Sequence, residues 1–527
     1  MGRFFSKAQS LFSPDNGNTS SVSTEDTEKE VAIKEPESEK GEIVIALVAA
    51  VGCDLNYFTS LIQTELEHYS YTSELIRISE AMLSEFSPPP DNMTRLQKIE
   101  HFMTAGNKYR DLSENNSALA YGAIAEISKL RQEKLQSDEP APIPNQAWII
   151  RSLKHPEEVE ALRKTYGDSL FIIGVYSEED KRKANLLKKK VKADDESFVD
   201  ILIARDADEG PSNGHGQHTS DTFHLSDFFI NADKSKEVNE SDIERIFKLI
   251  FSNPYVTPTF DEYAMYMAFS ASTRSADLSR QVGAVLCKDS NILSTGANDV
   301  PKAFGGLYWP TRSDDGKLAD SPGGRDYTRG CDANKEALSD ILKDLLFRLE
   351  LEDNEETREK LKHAKVRDIT EYGRVVHAEM EALLSCGRSN NSTLNTELYC
   401  TTFPCHNCAK HIIAAGVKRV VYVEPYSKSK ASDFHDDSVS FQPSSSEDKV
   451  TFEPFVGVGP RNFLNLFSMN LGSGATLKRK DKQGKTLDWE KESAILRIQA
   501  ESINYISQED LACSVAATDL DKYMSKR

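Results

Sequence analysis

Four residues constrain this chain more than any others: His377, Glu379, Cys405 and Cys408. They stand in two short blocks, His-Ala-Glu at 377–379 and Pro-Cys-His-Asn-Cys at 404–408. One imidazole and two thiolates are three of the four ligands that tetrahedral zinc takes. Cys405 and Cys408 are three residues apart, which puts both on one face of a helical turn. His377 opens a second stretch with helical spacing that runs to Ser385. A fold that uses these ligands together must bring two helix N-termini to one point. The partial positive charge of those termini favours thiolate over thiol.

Three protein ligands leave the fourth zinc position open for water. Two thiolates neutralise the dication, so the metal acidifies water less than a three-histidine site would, and a nearby base becomes useful. Glu379 is placed for that role. The pattern H-x-E…P-C-x-x-C is the signature of zinc deaminases. It predicts hydrolytic attack at C4 of a cytosine ring, with Glu379 carrying protons to N3 and to the departing ammonia. The competing reading is a closed structural zinc site, with Cys400 or His406 as fourth ligand.

The rest of the chain reads as α/β. Residues 1–40 are rich in Ser, Thr, Glu and Lys and poor in apolar residues, the composition of a disordered tail. The run EIVIALVAAVG from Glu42 is continuously apolar, as in a parallel strand buried on both faces. Helical spacing follows at Leu55, Phe58, Leu61, Ile62 and Leu66. Further strands are predicted at Ala147–Ile150, Ser169–Tyr176, Gln281–Leu286, Ile292–Gly296, Glu397–Thr401 and Lys418–Val423, with helical patterns at about 94–135, 156–166 and 260–277. Residues 302–375 read as a long, acidic, mostly helical insertion; within it, 312–360 holds nine bases and fourteen acids.

The turn after the first strand sits where a Walker A loop would: strand, turn, helix. The pattern is degenerate. Only Gly52 fits; Cys53 replaces the Lys and Asp54 the hydroxyl residue. Without the Lys, and with Asp54 repelling phosphates, ordinary kinase activity is not expected. Gly52, Cys53 and Asp54 are nevertheless candidate nucleotide-binding residues through the helix N-terminus, as a sensor. A purely structural strand–turn–helix is the equal alternative.

Charge narrows the partners. Acids outnumber bases 84 to 64, a net charge of −20. That disfavours non-specific coating of nucleic acid or anionic lipid. The run Lys181–Lys192 has seven bases and no acid; a solvated helix face is its first meaning and contact with a regulatory RNA its second. No stretch has the roughly 18 apolar residues of a membrane span. Eight cysteines in 527 residues are too few for a disulfide scaffold. Met-Gly-x-x-x-Ser at the start, with Gly2 and Ser6, matches a myristoylation pattern short enough to recur by chance. The expectation is a cytoplasmic protein in a reducing compartment, with no membrane partner.

The blocks HAEMEALLSC, TTFPCHNCAKHIIAAGVKRVVYVEPY and QVGAVLCKDSNILSTGANDVP resemble the deoxycytidylate deaminase branch of the cytidine deaminase fold, over about 259–435. That resemblance implies that Asn298, in GANDVP, contacts the sugar of a bound nucleotide; by itself it would read as a turn residue. Arg274, Arg280 and Arg374 are candidate phosphate ligands, though each singly reads as a surface arginine. AWIIRSLKHPEEVEALRKTYGDSLFIIGVYSEE, DTFHLSDFFI and FEPFVGVGPRNFLNLF extend the resemblance to about 42–500, to the bacterial anti-phage dCTP deaminases. The implied fold class is α/β: a P-loop-NTPase-like parallel sheet domain followed by a cytidine deaminase-like α/β/α domain. The implied division is a tail at 1–40, a P-loop-kinase-like regulatory domain at 41–253, a zinc deaminase domain at 254–505 and a C-terminal tail at 506–527. The family implies deamination of dCTP and dCMP, depletion of cytosine nucleotides during infection, a regulatory nucleotide or RNA, and a homo-oligomer. The alternatives are a polynucleotide deaminase acting on RNA or single-stranded DNA, and a non-enzymatic nucleotide-sensing module.

Overall fold

The computed structural model describes residues 41–137, 140–188, 195–209, 214–362, 364–369, 371–425, 429–441, 448–470, 476–498 and 502–527. The expected tail at 1–40, the Gly2 and Ser6 pattern within it, and Lys189, Lys190 and Lys192 of the basic run lie outside the described residues.

The apolar run after Glu42 forms strand β1 (Ile43–Ala49), buried at every position. Its side chains alternate between two cores. Ile43, Ile45 and Leu47 meet Phe58, Ile62 and Leu66 of the helix Leu55–His68 and Ile243 and Phe247 of the helix Lys236–Ile250. Val44, Ala46 and Val48 meet Ile124 of the helix Ala118–Leu135 and Leu162 of the helix Pro156–Tyr166. Helices on both faces explain why this strand carries no polar alternation. Strands β2 (Thr72–Arg77), β3 (Gln146–Leu153), β4 (Leu170–Tyr176) and β5 (Phe228–Asn231) join it in the order β2-β3-β1-β4-β5, all parallel. The helical pattern at 94–135 divides into two helices, Arg95–Ser113 and Ala118–Leu135, because Glu114 takes a left-handed φ of 57°.

The second sheet contains β6 (Gly283–Lys288) and β7 (Asn291–Ala297). After the separate hairpin β8 (Thr311–Arg312) and β9 (Leu318–Ala319), it continues with β10 (Glu397–Thr402), β11 (Arg419–Glu424), β12 (Val439–Ser440) and β13 (Val450–Pro454). Its order is β7-β6-β10-β11-β13-β12. The β7–β6 and β6–β10 pairs are antiparallel and the others parallel. The helix Phe260–Ser272 covers one face through Ala264, Met265 and Ala268. The helices Ala378–Arg388 and His406–Ala414 cover the other through Ala378, Ala382, Ala409 and Ile412. Two glycines set these distances. A Cβ on Gly283 would lie 1.9 Å from the Ala268 carbonyl oxygen, and one on Gly296 would lie 2.0 Å from that of Ala378. Any side chain at Gly296 would push the helix that begins beside His377 off the sheet.

The structure departs from the expected layout in two places. The insertion is helical only in its later part, in Ala333–Arg348 and Glu355–Lys360; the earlier part is loop, hairpin and the 3₁₀ turn Asp326–Thr328. The residues expected as a C-terminal tail, 506–527, fall almost entirely in the 25-residue helix Ser502–Lys526. Its Tyr505, Ile506, Ala512 and Tyr523 are buried in the core of the first sheet. Arg131 fixes this helix by binding Glu509 and Glu42 together, with all three side chains at most 3% exposed. Before that helix, β14 (Gly457–Val458) pairs antiparallel with β5, so the segment after β13 also returns to the first sheet.

Of the basic run, Lys181 faces Asp233 at 3.8 Å, and Lys183 lies 2.9 Å from both Glu179 and Asp200. Among the described residues no helix is long and apolar enough to cross a membrane.

Candidate active site

His377 and Cys405 are each the N-cap of a helix, of Ala378–Arg388 and His406–Ala414 respectively, and neither side chain makes a cap hydrogen bond. Both are therefore available to a metal. Cys408 sits one turn into the second helix. The bridge between Asp299 and Val376 anchors the residue before His377 to the end of β7. The Cys405 and Cys408 sulfurs lie 3.4 and 3.3 Å from His377 Nδ1. All three donor atoms fall within 4.8 Å of one another. One imidazole and two thiols this close form a donor set that zinc fits. The hydrogen bond with Cys408, followed by the one with His377, holds the Cys405 thiol down to about 3, while that same Cys405 bond pushes His377 up to about 9. The pairing favours the thiolate that metal binding requires.

Neither candidate for a fourth protein ligand joins them. The Cys400 thiol, fully buried on β10, donates to the Thr402 carbonyl at 2.8 Å, and the His406 ring packs edge-on against Phe434.

Glu379 is 4% exposed and lines the same cavity as His377 and Cys405. Burial pushes its carboxyl above the ordinary carboxylate range, and His377 partly offsets the shift. The cavity has a volume of about 230 Å³. Asn298, Arg280 and Arg374 also line it. The Asn298 amide ties the wall together: Oδ1 accepts from the Val282 N–H at 2.6 Å and Nδ2 donates to the Arg280 carbonyl at 2.9 Å. Arg280 Nη1 lies 3.6 Å from Glu424. Arg374 donates to Asp326 at 2.5 Å and to the Gly324 carbonyl at 3.0 Å. Arg274 is not in this lining. It donates to the Tyr308 carbonyl at 2.9 Å and stacks over Trp309 at 3.8 Å, so the insertion draws it away from the cavity.

A family model described as the cytidine and deoxycytidylate deaminase zinc-binding region matches residues 258–424. A deoxycytidylate deaminase of Mycobacterium phage D29 is 30% identical over 165 residues, which is 31% of this chain and 94% of that protein. The chain belongs to the cytidine and deoxycytidylate deaminase family. The deoxycytidylate deaminase of Enterobacteria phage T2 is 31% identical over 32% of this chain and 80% of its own length. A crystal structure of the dCMP deaminase of cyanophage S-TIM5 with dCMP and dUMP is 22% identical, covering 38% of this chain and 100% of that one, with a TM-score of 0.22. Zinc is the metal of this family, and the His377, Cys405 and Cys408 cluster is the candidate site for it.

The motifs of this deaminase did not disclose the whole cavity wall. Asp326, Asp332 and Asn334 come from the insertion, Thr402 and Phe403 from the end of β10, and Asp277 from the loop after the first helix of the second sheet. Thr402 and Phe403 directly precede Pro404, so adjacency to the cysteine block could have signalled them. The insertion residues had no such signal, because only tertiary folding carries them to the site.

The turn at Gly52 is closed from within. Gly52 has φ +92°, and a Cβ there would lie 2.7 Å from the Arg182 carbonyl oxygen. Asp54 caps the helix Leu55–His68 by accepting from the Tyr57 N–H. Burial pushes the Cys53 thiol up to about 11. The Val51 N–H donates to the fully buried Asp206 carboxylate at 2.8 Å, and Lys154 Nζ binds the same carboxylate at 2.7 Å. An internal carboxylate thus holds the turn amide that a phosphate would use.

Proposed function

We propose that this chain hydrolytically deaminates deoxycytidine nucleotides, dCTP and dCMP, to their uracil counterparts with release of ammonia. The observation that carries this reading is a buried carboxylate, Glu379, in one cavity with a His-Cys-Cys candidate zinc site that has no fourth protein ligand among the described residues. When bound, zinc would supply the Lewis acidity that makes water a competent nucleophile near neutral pH. His377, Cys405 and Cys408 would hold it. Glu379 accepts a proton from the attacking water and delivers it to N3 of the ring; it then takes the proton of the new C4 hydroxyl and gives it to the amino group, which leaves as ammonia as the C4 carbonyl forms. Burial suits Glu379 to the exchange, because it brings the carboxyl closer to the basicity of the groups it serves.

Asn298 holds the wall on which the sugar would rest, and Arg280 and Arg374 are the cations that would meet phosphate. The cavity volume is below the roughly 300–1,000 Å³ of most ligand clefts. It suits a base and sugar, with phosphates reaching toward Arg374. Four carboxylates in the lining and the ion-paired lysines at 181 and 183 favour a small nucleotide over a polynucleotide. In the cell, such an activity would drain the cytosine nucleotides that a replicating phage needs. Regulation by RNA and assembly as a homo-oligomer are part of the same proposal, and both rest on the sequence resemblance.

The test is incubation of zinc-loaded protein with dCTP, dCMP, CTP and cytosine-containing single-stranded DNA, with chromatography of the products. Uracil nucleotides from dCTP or dCMP are expected, and uracil in the DNA is not. A protein inert toward all three nucleotides overturns the reading.

A further inference from the structure

The insertion carries a helix that is barely covered. Among the described residues of Ala333–Arg348, only Leu346 is buried. A helix of this length draws most of its stability from burying an apolar face. Lys335, Leu338, Leu342, Lys343 and Leu346 fall on one face by their spacing and line a groove of about 380 Å³. Leu361, which ends the helix Glu355–Lys360, completes the apolar floor, and Arg358 and Arg367 add to the basic rim.

The groove is opposite in sign to the segment that builds it. Residues 312–360 hold nine bases and fourteen acids. Yet four cations and, among the described residues, no carboxylate line the groove. Glu336, Asp340 and Asp344 recur every four residues along another side of the helix. Lys343 faces Asp340 at 3.0 Å and Arg358 faces Asp353 at 2.8 Å, both exposed pairs of the weak kind that a ligand carboxylate can exchange. The Lys335 ammonium has no carboxylate partner among the described residues, and the Arg367 guanidinium donates to the Leu361 carbonyl at 3.1 Å instead of to an anion. Lys335 and Lys343 stand about 12 Å apart along the helix, so the cations do not converge on one phosphate. They suit carboxylates spaced along an extended partner.

We propose that this groove receives an acidic amphipathic helix of a partner protein. Its apolar side chains would lie on Leu338, Leu342, Leu346 and Leu361, and its carboxylates against Lys335, Lys343, Arg358 and Arg367. The helix that carries the groove also reaches the active-site cavity: Asp332 caps it and lines that cavity together with Asn334. Asn334 donates to the Ile369 carbonyl at 2.9 Å and accepts from the Tyr372 N–H at 3.2 Å, on the segment that leads to Arg374. A partner seated in the groove therefore grips the element whose first turn shapes the cavity. The inference does not depend on the deamination reading.

Fluorescence anisotropy on the full-length, zinc-loaded protein tests it, with a labelled helical peptide of about 15 residues built from Leu, Glu and Ala. Its leucines form one stripe and its glutamates flank them. In one control peptide the same residues are scrambled so that no stripe forms; in the other, Lys replaces every Glu. The acidic stripe peptide is expected to bind at least about tenfold more tightly than either control, and to weaken as salt is raised. The double variant Lys335→Glu, Arg367→Glu, at two exposed positions, should weaken it at least about tenfold, with zinc content and circular dichroism unchanged. Leu342→Ser gives an independent reading through the apolar floor, with a loss of about threefold or more. Equal binding of the three peptides, no binding of any, or binding that neither variant changes overturns the site. Sedimentation supplies the remaining outcome: a chain that self-associates as wild type and is monomeric as Leu342→Ser holds a second copy in the groove, which overturns the assignment to a partner.

Discussion

Asp326 holds Arg374. The guanidinium donates to its carboxylate at 2.5 Å, on the wall of the cavity that also contains His377 and Glu379. Asp326 comes from the insertion and Arg374 from the segment just before the zinc histidine. A cation suited to substrate phosphate is thus already engaged by the protein's own anion. Binding a nucleotide there means displacing one carboxylate by another anion of higher charge. Asp326→Asn should lower KM for dCMP by about 3–10-fold by weakening the competitor, and Arg374→Gln should raise it by about tenfold or more. Steady-state kinetics decide the matter. A raised KM in Asp326→Asn would mean that the carboxylate positions Arg374 instead of competing for it.

Glu379→Gln keeps the shape of the buried side chain but removes its proton-accepting oxygen. Turnover should fall by about 10²–10⁴-fold. Zinc content, measured by elemental analysis, should remain one per chain. Undiminished turnover would remove Glu379 from the proton path.

Cys405→Ser should abolish stoichiometric zinc, because the hydroxyl is a poor anionic ligand at neutral pH. The substitution also acts on the helix start. His377 and Cys405 occupy N-cap positions without capping, and a serine N-cap is worth about 1 kcal/mol. The variant should therefore lose metal without losing its fold. Circular dichroism alongside elemental analysis separates the two effects.

His155 caps the helix Pro156–Tyr166 with Nδ1 accepting from the Glu157 N–H at 3.2 Å. That bond requires an unprotonated nitrogen, and burial lowers the His155 pKa. Glu157 and Glu158 oppose the shift, whereas Arg110 and His218 add to it. A histidine lowered in the folded state contributes stability that is complete above its unfolded value near 6.5 and is lost as pH falls through the folded value. Urea unfolding should show a weaker fold at about pH 5 than at about pH 7.5, and His155→Asn, which keeps a cap acceptor, should reduce the difference. An unchanged pH dependence in that variant would assign the loss elsewhere.

Glu509→Gln removes one of the two carboxylates that neutralise buried Arg131. Breaking a buried ion pair from one side typically costs about 3–5 kcal/mol. Thermal unfolding should shift markedly downward. Replacing Arg131, Glu42 and Glu509 together with apolar residues of similar volume should restore much of the loss.

The parts of this fold legible in the sequence are those with strong local signals. Strand β1 announced itself by an unbroken apolar run, and the zinc cluster by residue types that few other arrangements would use. Strand β2 did not, because Thr72–Arg77 is half-exposed and carries polar residues on an edge of the sheet. Helix Ser502–Lys526 reads as a tail in the sequence because its weakly apolar face is explained only by Arg131 and the core of a sheet whose parallel strands end about 270 residues earlier. The family resemblance pointed to Asn298, which lines the cavity, but nothing in the sequence signalled its two backbone hydrogen bonds. The position of Arg274 was decided by Trp309, a residue of the insertion, and no spacing rule reaches that far.

The clasp between Glu42, Arg131 and Glu509 also bears on how the molecule is made. Glu42 and Arg131, 89 residues apart, both leave the ribosome early, with one carboxylate for one guanidinium, while the balancing Glu509 is translated 378 residues after Arg131. At about 5–20 residues per second, that interval lasts tens of seconds. Throughout it, the first sheet lacks the helix that covers Tyr109, Ile124 and Tyr166. The nascent first sheet is thus an open hydrophobic surface that waits for a distant helix, which makes it the natural place for a chaperone to act and for a truncated translation product to aggregate.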